Sequence, residues 1–179
     1  HWKAVEGFTL MAESPCPVLW VGDGTNADFE SPALYAEHAV PTIRAIARAA
    51  HSVGKPFLAH MCGKLNALLP LIREAELDVV DSFTPPPMGD AVPRKAWDMW
   101  GGNVTLYGGI PAEWAWNPSV SEKEIVAGMA RLYSDLRPGD RFMAALPCYI
   151  PGNAMPERLR LIAELNLRYG EEACQRIWG

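Results

Sequence analysis

The sequence predicts an α/β fold of the (β/α)8 TIM-barrel type, here an incomplete barrel of about five C-terminal βα units. Three observations carry this. Apolar runs of strand length alternate with amphipathic helical segments along the whole chain, and alternation of that kind builds a parallel sheet. The strands are almost continuously apolar, as strands buried on both faces are. They end in glycine or a charged residue, on the side where such barrels place their active sites. No G-x-G-x-x-G follows any strand, so the alternative, a doubly wound open sheet with a dinucleotide site, lacks its fingerprint.

The elements follow in order. Residues 1–14 have the pattern of a helix tail, closed by Pro15-Cys16-Pro17. Residues 17–23 (PVLWVGD) form a buried strand ending at a Gly22-Asp23-Gly24 turn that displays Asp23. Ser31-Pro32 starts a helix, with Ser as N-cap and Pro in the first turn. Ile43, Ile46, Ala47 and Ala50 give it a core face, Pro41 should kink or split it, and Gly54 stops it. Residues 55–63 (KPFLAHMCG) are the second strand. Leu65, Leu68, Leu69 and Ile72 mark the next helix, and residues 77–83 (LDVVDSF) the third strand, with Asp81 near its end. A proline-stiffened loop (84–90) and a short helix (93–100) lead to the fourth strand, 104–109, which ends in Gly108-Gly109. After a loop carrying Trp114 and Trp116, Ser121-x-x-Glu124 is a capping box for a helix with Ile125, Met129, Leu132, Tyr133 and Leu136 inward. Residues 141–148 (RFMAALPC) are the fifth strand, and 156–169 the last helix, with Glu164 and Arg168 spaced as an i,i+4 ion pair.

A complete barrel has eight strands and about 250 residues. Five units in 179 residues correspond to its last part, and residue 1 is His rather than Met. The chain, residues 1–179, is therefore expected to be a single domain, the C-terminal portion of a barrel. Its open sheet edges would need cover from a missing N-terminal barrel half or a homodimer partner.

Composition removes several functions. With 49% hydrophobic and 21% charged residues, the chain is globular. A net charge of −5 without any Lys/Arg run argues against nucleic acid or an anionic membrane as partner. No apolar run has transmembrane length, and no secretory leader opens the chain. Cys16, Cys62, Cys148 and Cys174 are too widely spaced for a disulfide framework, which fits a reducing, cytoplasmic compartment. The many prolines and glycines fall at junctions between apolar segments, as punctuation of a regular fold.

The chemistry centres on His60-Met61-Cys62. Alternate strand residues share a face, so an imidazole and a thiol point the same way from one strand end, half of a zinc site. A core cysteine beside a partly buried histidine is the plainer alternative. Cys148 ends the fifth strand on the same rim and can supply the third ligand, and Asp23 an oxygen; equally, Cys148 can be a small core residue and Asp23 a turn former. Asp81, Gly108, Gly109 and Trp114 are candidate substrate contacts. Gly108-Gly109 permits close backbone approach to a ligand or a tight turn, and Trp114 and Trp116 can wall a flat ligand or anchor a loop. His38 and His51 belong to a helix surface, and Cys174 has no evident partner.

The segment HMCGKLNALLPLIREAELDVVDSF (60–83) resembles the uroporphyrinogen decarboxylase-like superfamily of barrel enzymes. So do Leu106 to Ile110 (LYGGI), Arg137 to Asp140 (RPGD) and Ile150-Pro151 with the helix to Arg168-Tyr169-Gly170. The likeness runs from about Val18 to Gly170 and corresponds to the C-terminal half of that family. True decarboxylases of the superfamily have Asn-Leu-Gly-His-Gly at the last strand and bind no metal, whereas this chain has Ala145-Leu146-Pro147-Cys148. That is similar to the corrinoid-dependent methyltransferase branch, in which a His-x-Cys and a distant Cys hold zinc. The resemblance implies His60, Cys62 and Cys148 as ligands, with Asp23 the weakest candidate. It further implies methylcobalamin or another corrinoid on a separate partner protein, and transfer to a thiol such as coenzyme M or to a tetrahydrofolate-type acceptor. Demethylase-type members take the methyl group from a methoxylated or methylamine donor. Two other functions stand beside this one. A metal-free carboxy-lyase acting on a tetrapyrrole predicts an Arg cluster at the barrel mouth, where only Arg94, Lys64 and Lys95 lie near rim loops. A non-catalytic, barrel-derived binding domain would use the thiols structurally.

Overall fold

The computed structural model describes residues 2–22, 24–147 and 150–179. Its five strands are β1 (Leu19–Val21), β2 (Phe57–His60), β3 (Val79–Phe83), β4 (Thr105–Gly109) and β5 (Phe142–Ala145). All pair in parallel, in the order β1-β2-β3-β4-β5. Chain order equal to spatial order separates the two candidate architectures. A doubly wound sheet reverses direction at a switch point, whereas here every crossover steps the same way. Because such crossovers are right-handed, all the helices collect on one face, as in part of a barrel.

The other face is uncovered. Along β2 and its continuation, Phe57, Ala59 and Met61 are completely buried under helices, while Leu58, His60 and Cys62 are partly exposed. Trp20 of β1 and Met143 of β5 are 50% and 53% exposed on the sheet. Burial of large core side chains such as Phe57, Leu69, Ile72 and Trp100 contributes roughly 1.5–3 kcal/mol each for the aliphatic and phenyl groups. That one-sided burial holds the sheet together.

The helices are α1 (Trp2–Ala12), α2 (Pro32–Leu34), α3 (Val40–Ser52), α4 (Leu69–Glu74), α5 (Pro93–Trp100), α6 (Glu122–Ser134) and α7 (Pro156–Trp178). Pro41 does split the second helical segment. A π-helical turn, Tyr35–Ala39, joins α2 to α3, and Pro41 falls in the first turn of α3, where its missing N–H is tolerated. Ser31 caps α2 and the Ser121–Glu124 capping box is complete. β2 is shorter than its apolar run: Lys55 donates instead to the carbonyls of Ala12 and Ser14, a cation at the C-terminal end of α1. α7 runs nine residues beyond Tyr169, to Trp178. There Arg168 pairs with Glu172 at 3.1 Å rather than with Glu164, the other i,i+4 neighbour. No described helix is long and apolar enough to cross a membrane.

Candidate functional site

The C-terminal end of β2 is built by pairing with β3, after pairing with β1 ends at Ala59. His60 lies opposite Asp81 of β3, and the Met61 N–H continues the ladder by donating to the Asp81 carbonyl at 2.8 Å. Two-residue alternation therefore persists to Cys62 and puts His60 and Cys62 on the uncovered face. The loop that follows is clamped. Asn26 Oδ1 accepts from Lys64 N at 3.1 Å, and Ala27 N donates to Lys64 O at 2.8 Å. Gly63 has φ +124°, and a Cβ there would lie 2.5 Å from the Asn26 side chain, so only glycine allows this close turn. Asp90, at the end of the proline loop, accepts from Leu65 N and Asn66 N at 2.8 and 2.9 Å.

The side chains around His60 form a network. Asp81 Oδ2 lies 3.1 Å from His60 Nδ1 and accepts from the Trp20 indole N–H at 2.9 Å. The Trp20 and His60 rings meet edge-on, 6.1 Å between centroids. Ser82 Oγ donates to Asp81 Oδ1 at 3.3 Å. Asp81 is central rather than terminal in β3 and sits at an irregularity. Ser82 has φ +65°, and the β3–β4 register shifts between Val80 and Phe83, a bulge of the kind that re-aims side chains.

The other predicted residues divide. Asp23 and Cys148 lie outside the described residues. Among the described residues, no group of three or more His, Cys, Asp or Glu side chains is placed to hold a metal. Gly108 and Gly109 have φ +133° and +82°, and the backbone Gly108 approaches is the protein's own. A Cβ there would be 2.5 Å from Phe83 O, so Gly108 accommodates the β3 bulge. Trp114 is seated on α6, where a Cβ on Gly128 would meet its ring at 2.3 Å. It lines a groove of about 380 Å3 with Trp97, Arg94 and Gly109, apart from His60. His38 is exposed, as expected, and so is Cys174. His51 is also exposed but engaged, with Nε2 2.7 Å from Asp78 Oδ2.

Three features escape sequence reasoning. Trp20 looks like one more apolar strand residue, and its role depends on a partner 61 residues away. The Ser82 bulge has no composition signal. Glu113, in a 3₁₀ turn (Ala112–Ala115) just after β4, is buried, and its Oε2 has no hydrogen-bond partner among the described residues. Burial pushes its carboxyl above the ordinary value.

His60 and Cys62 are donor types that zinc takes, and a carboxylate on an imidazole nitrogen is a common companion of metal-ligating histidines, but these two described donors alone do not make a metal site. A singly wound parallel sheet with its polar constellation at the C-terminal strand ends defines a barrel-type enzyme scaffold. Residues 6–168 match the model of the family uroporphyrinogen decarboxylase (URO-D), and the chain belongs to that family. No curated protein matches it. The family is mostly enzymatic, embracing decarboxylases and methyltransferases.

Proposed function

We propose that this chain is the zinc-binding part of a methyltransferase that works with a methylated corrinoid protein. The observation that supports it is that His60 and Cys62 leave β2 together on the uncovered face, with Asp81 on His60 Nδ1. His60, Cys62 and Cys148 would hold the metal, with Asp23 as candidate oxygen donor. Zinc bound there supplies a lowered thiol pKa, so that an acceptor thiol reacts as thiolate at neutral pH.

The remaining tasks belong to the protein. A neutral imidazole and two thiolates balance the dication, which keeps an acceptor sulfur electron-rich. The uncovered face, with Trp20, Leu58 and Tyr107, gives the acceptor an apolar wall. An acceptor thiol held there would release its proton to solvent. A methylated corrinoid on the partner protein would supply the methyl group that this sulfur takes up. The protein's contribution is distance and line of attack.

The tetrapyrrole decarboxylase reading is weaker because the rim cations it needs are engaged. Arg94 makes a forked pair with Asp140 at 2.6 and 3.0 Å. Lys64 bonds Asp28 at 2.8 Å and Lys95 bonds Asn66. Elemental analysis of anaerobically purified protein tests the proposal. About one zinc per chain, lost in both Cys62→Ala and Cys148→Ala, is expected for a site that needs both thiolates. Metal-free wild-type protein would overturn it in favour of a metal-free decarboxylase-like barrel or a non-catalytic binding domain.

A further inference from the structure

The uncovered sheet face carries a second layer of structure behind His60. We propose that Trp20, Asp81 and Ser82 form a positioning relay that dictates which nitrogen of His60 carries the proton. The relay leaves Nε2 as the electron-pair donor on the uncovered face. It rests on the reading of His60 as a ligand but concerns residues that no ligand set includes.

The argument starts from the acceptor. An ionised carboxylate has no proton to give, so the 3.1 Å contact between Asp81 Oδ2 and His60 Nδ1 places the ring proton on Nδ1. In a neutral imidazole the lone pair then belongs to Nε2. A carboxylate free to rotate would impose this only weakly. Asp81 is held at both oxygens, Oδ2 by the Trp20 indole N–H at 2.9 Å and Oδ1 by the Ser82 hydroxyl at 3.3 Å.

The Trp20 bond has a direction. An indole N–H only donates, so it can hold Asp81 as an acceptor and never in the reverse sense. Its geometry is also non-local. Trp20 is on β1 and Asp81 on β3, with β2 between them, so the indole must reach over the intervening strand. In doing so it meets the His60 ring edge-on, with 73° between planes. One side chain thus orients the carboxylate and restricts rotation of the imidazole. The bulge supplies the rest. A non-glycine residue in the left-handed region is strained, and such conformations persist where surrounding structure holds them. Ser82 adopts φ +65° at the register shift, beside the carboxylate its hydroxyl bonds.

The test reads the tautomer directly. In 15N-labelled, metal-free protein, long-range imidazole correlations assign His60 by comparison with His60→Gln. Wild type is expected to hold His60 as the Nδ1–H tautomer. Trp20→Phe keeps a ring but removes the N–H, and should give a mixture of tautomers. Zinc affinity, measured by chelator competition, should fall about 10- to 100-fold in Asp81→Ala and less in Trp20→Phe. An Nε2–H tautomer in wild type, or one unchanged by Trp20→Phe, overturns the relay. Circular dichroism checks folding, and if Asp81→Ala fails to fold, Trp20→Phe decides alone. Should the tautomer respond while no protein binds zinc, the relay stands and the methyltransferase reading falls. Should zinc bind while the tautomer ignores Trp20→Phe, the relay falls and the methyltransferase reading stands.

Discussion

Two His–Asp pairs face each other across the ends of the same sheet. At the N-terminal end of the strands, His51 meets Asp78 through Nε2 at 2.7 Å, with side chains 40% and 35% exposed. At the C-terminal end, His60 meets Asp81 through Nδ1 at 3.1 Å, with side chains 20% and 16% exposed. The first pair uses the tip of the ring and ties a helix to the sheet. Its aspartate also stitches strands: Asp78 Oδ2 accepts from Phe57 N at 2.8 Å, and the Asp78 carbonyl from Thr105 N at 2.7 Å. The second pair uses the nitrogen next to the backbone, and its aspartate is fixed by side chains. On the proposed reading, the same two residue types serve stability at one rim and presentation of a donor atom at the other. That is the division of labour between the bottom and top of a βα barrel.

The comparison can be broken most decisively by metal content. His60→Gln is expected to abolish zinc binding, and His51→Gln to leave it intact; equal loss in both would remove the distinction. Next comes the bulge that carries Asp81. Gly108→Ala should cost about 2–4 kcal/mol in urea unfolding, from an overpacked contact and an unfavourable φ, because its Cβ would press on Phe83 O. Indifference to the substitution would mean that β3 can relax without the bulge. Asp78→Ala follows, with an expected loss of about 1–3 kcal/mol from a partly buried N–H left without its acceptor. Asp81→Ala should lose clearly less stability than Asp78→Ala while losing more metal affinity, and the reverse ranking would contradict the assignment of rims.

The smallest effect concerns Glu113, the buried carboxyl near the top rim. Burial raises its pKa in the folded state above the ordinary 4.5. The native state therefore holds this proton more tightly than the unfolded chain does. Its contribution to stability is full below about pH 4.5, the unfolded value, and declines as pH rises from there through the folded value. Glu113→Gln should flatten this part of the Tm–pH curve above about pH 4.5. An unchanged slope would show that the carboxyl gains water or a partner in solution.

Much of this was legible in advance because it is local. The capping box at Ser121, the stop at Gly54 and the interruption at Pro41 follow from backbone chemistry within a few residues. The shared face of His60 and Cys62 follows from strand alternation alone. The Glu164–Arg168 pair shows where locality ends. Arg168 has carboxylates on both sides at the right spacing, and sequence spacing does not choose between them. Gly108-Gly109 was legible as a close approach, though its partner was not: the glycine accommodates a bulge on the neighbouring strand, which appears only when β3 and β4 are paired.

By itself, the sequence determined the alternation of strands and helices, the parallel sheet that follows from it, and the placement of an imidazole and a thiol at one strand end. These depend on period and on residues adjacent in the chain. Tertiary structure decided the strand order that distinguishes a barrel from a doubly wound sheet. It also decided the setting of His60, whose aspartate lies 21 residues away and whose tryptophan bonds that aspartate across 61. Contacts over such separations exist only after the sheet has formed, because strand register rather than sequence spacing sets which side chains meet.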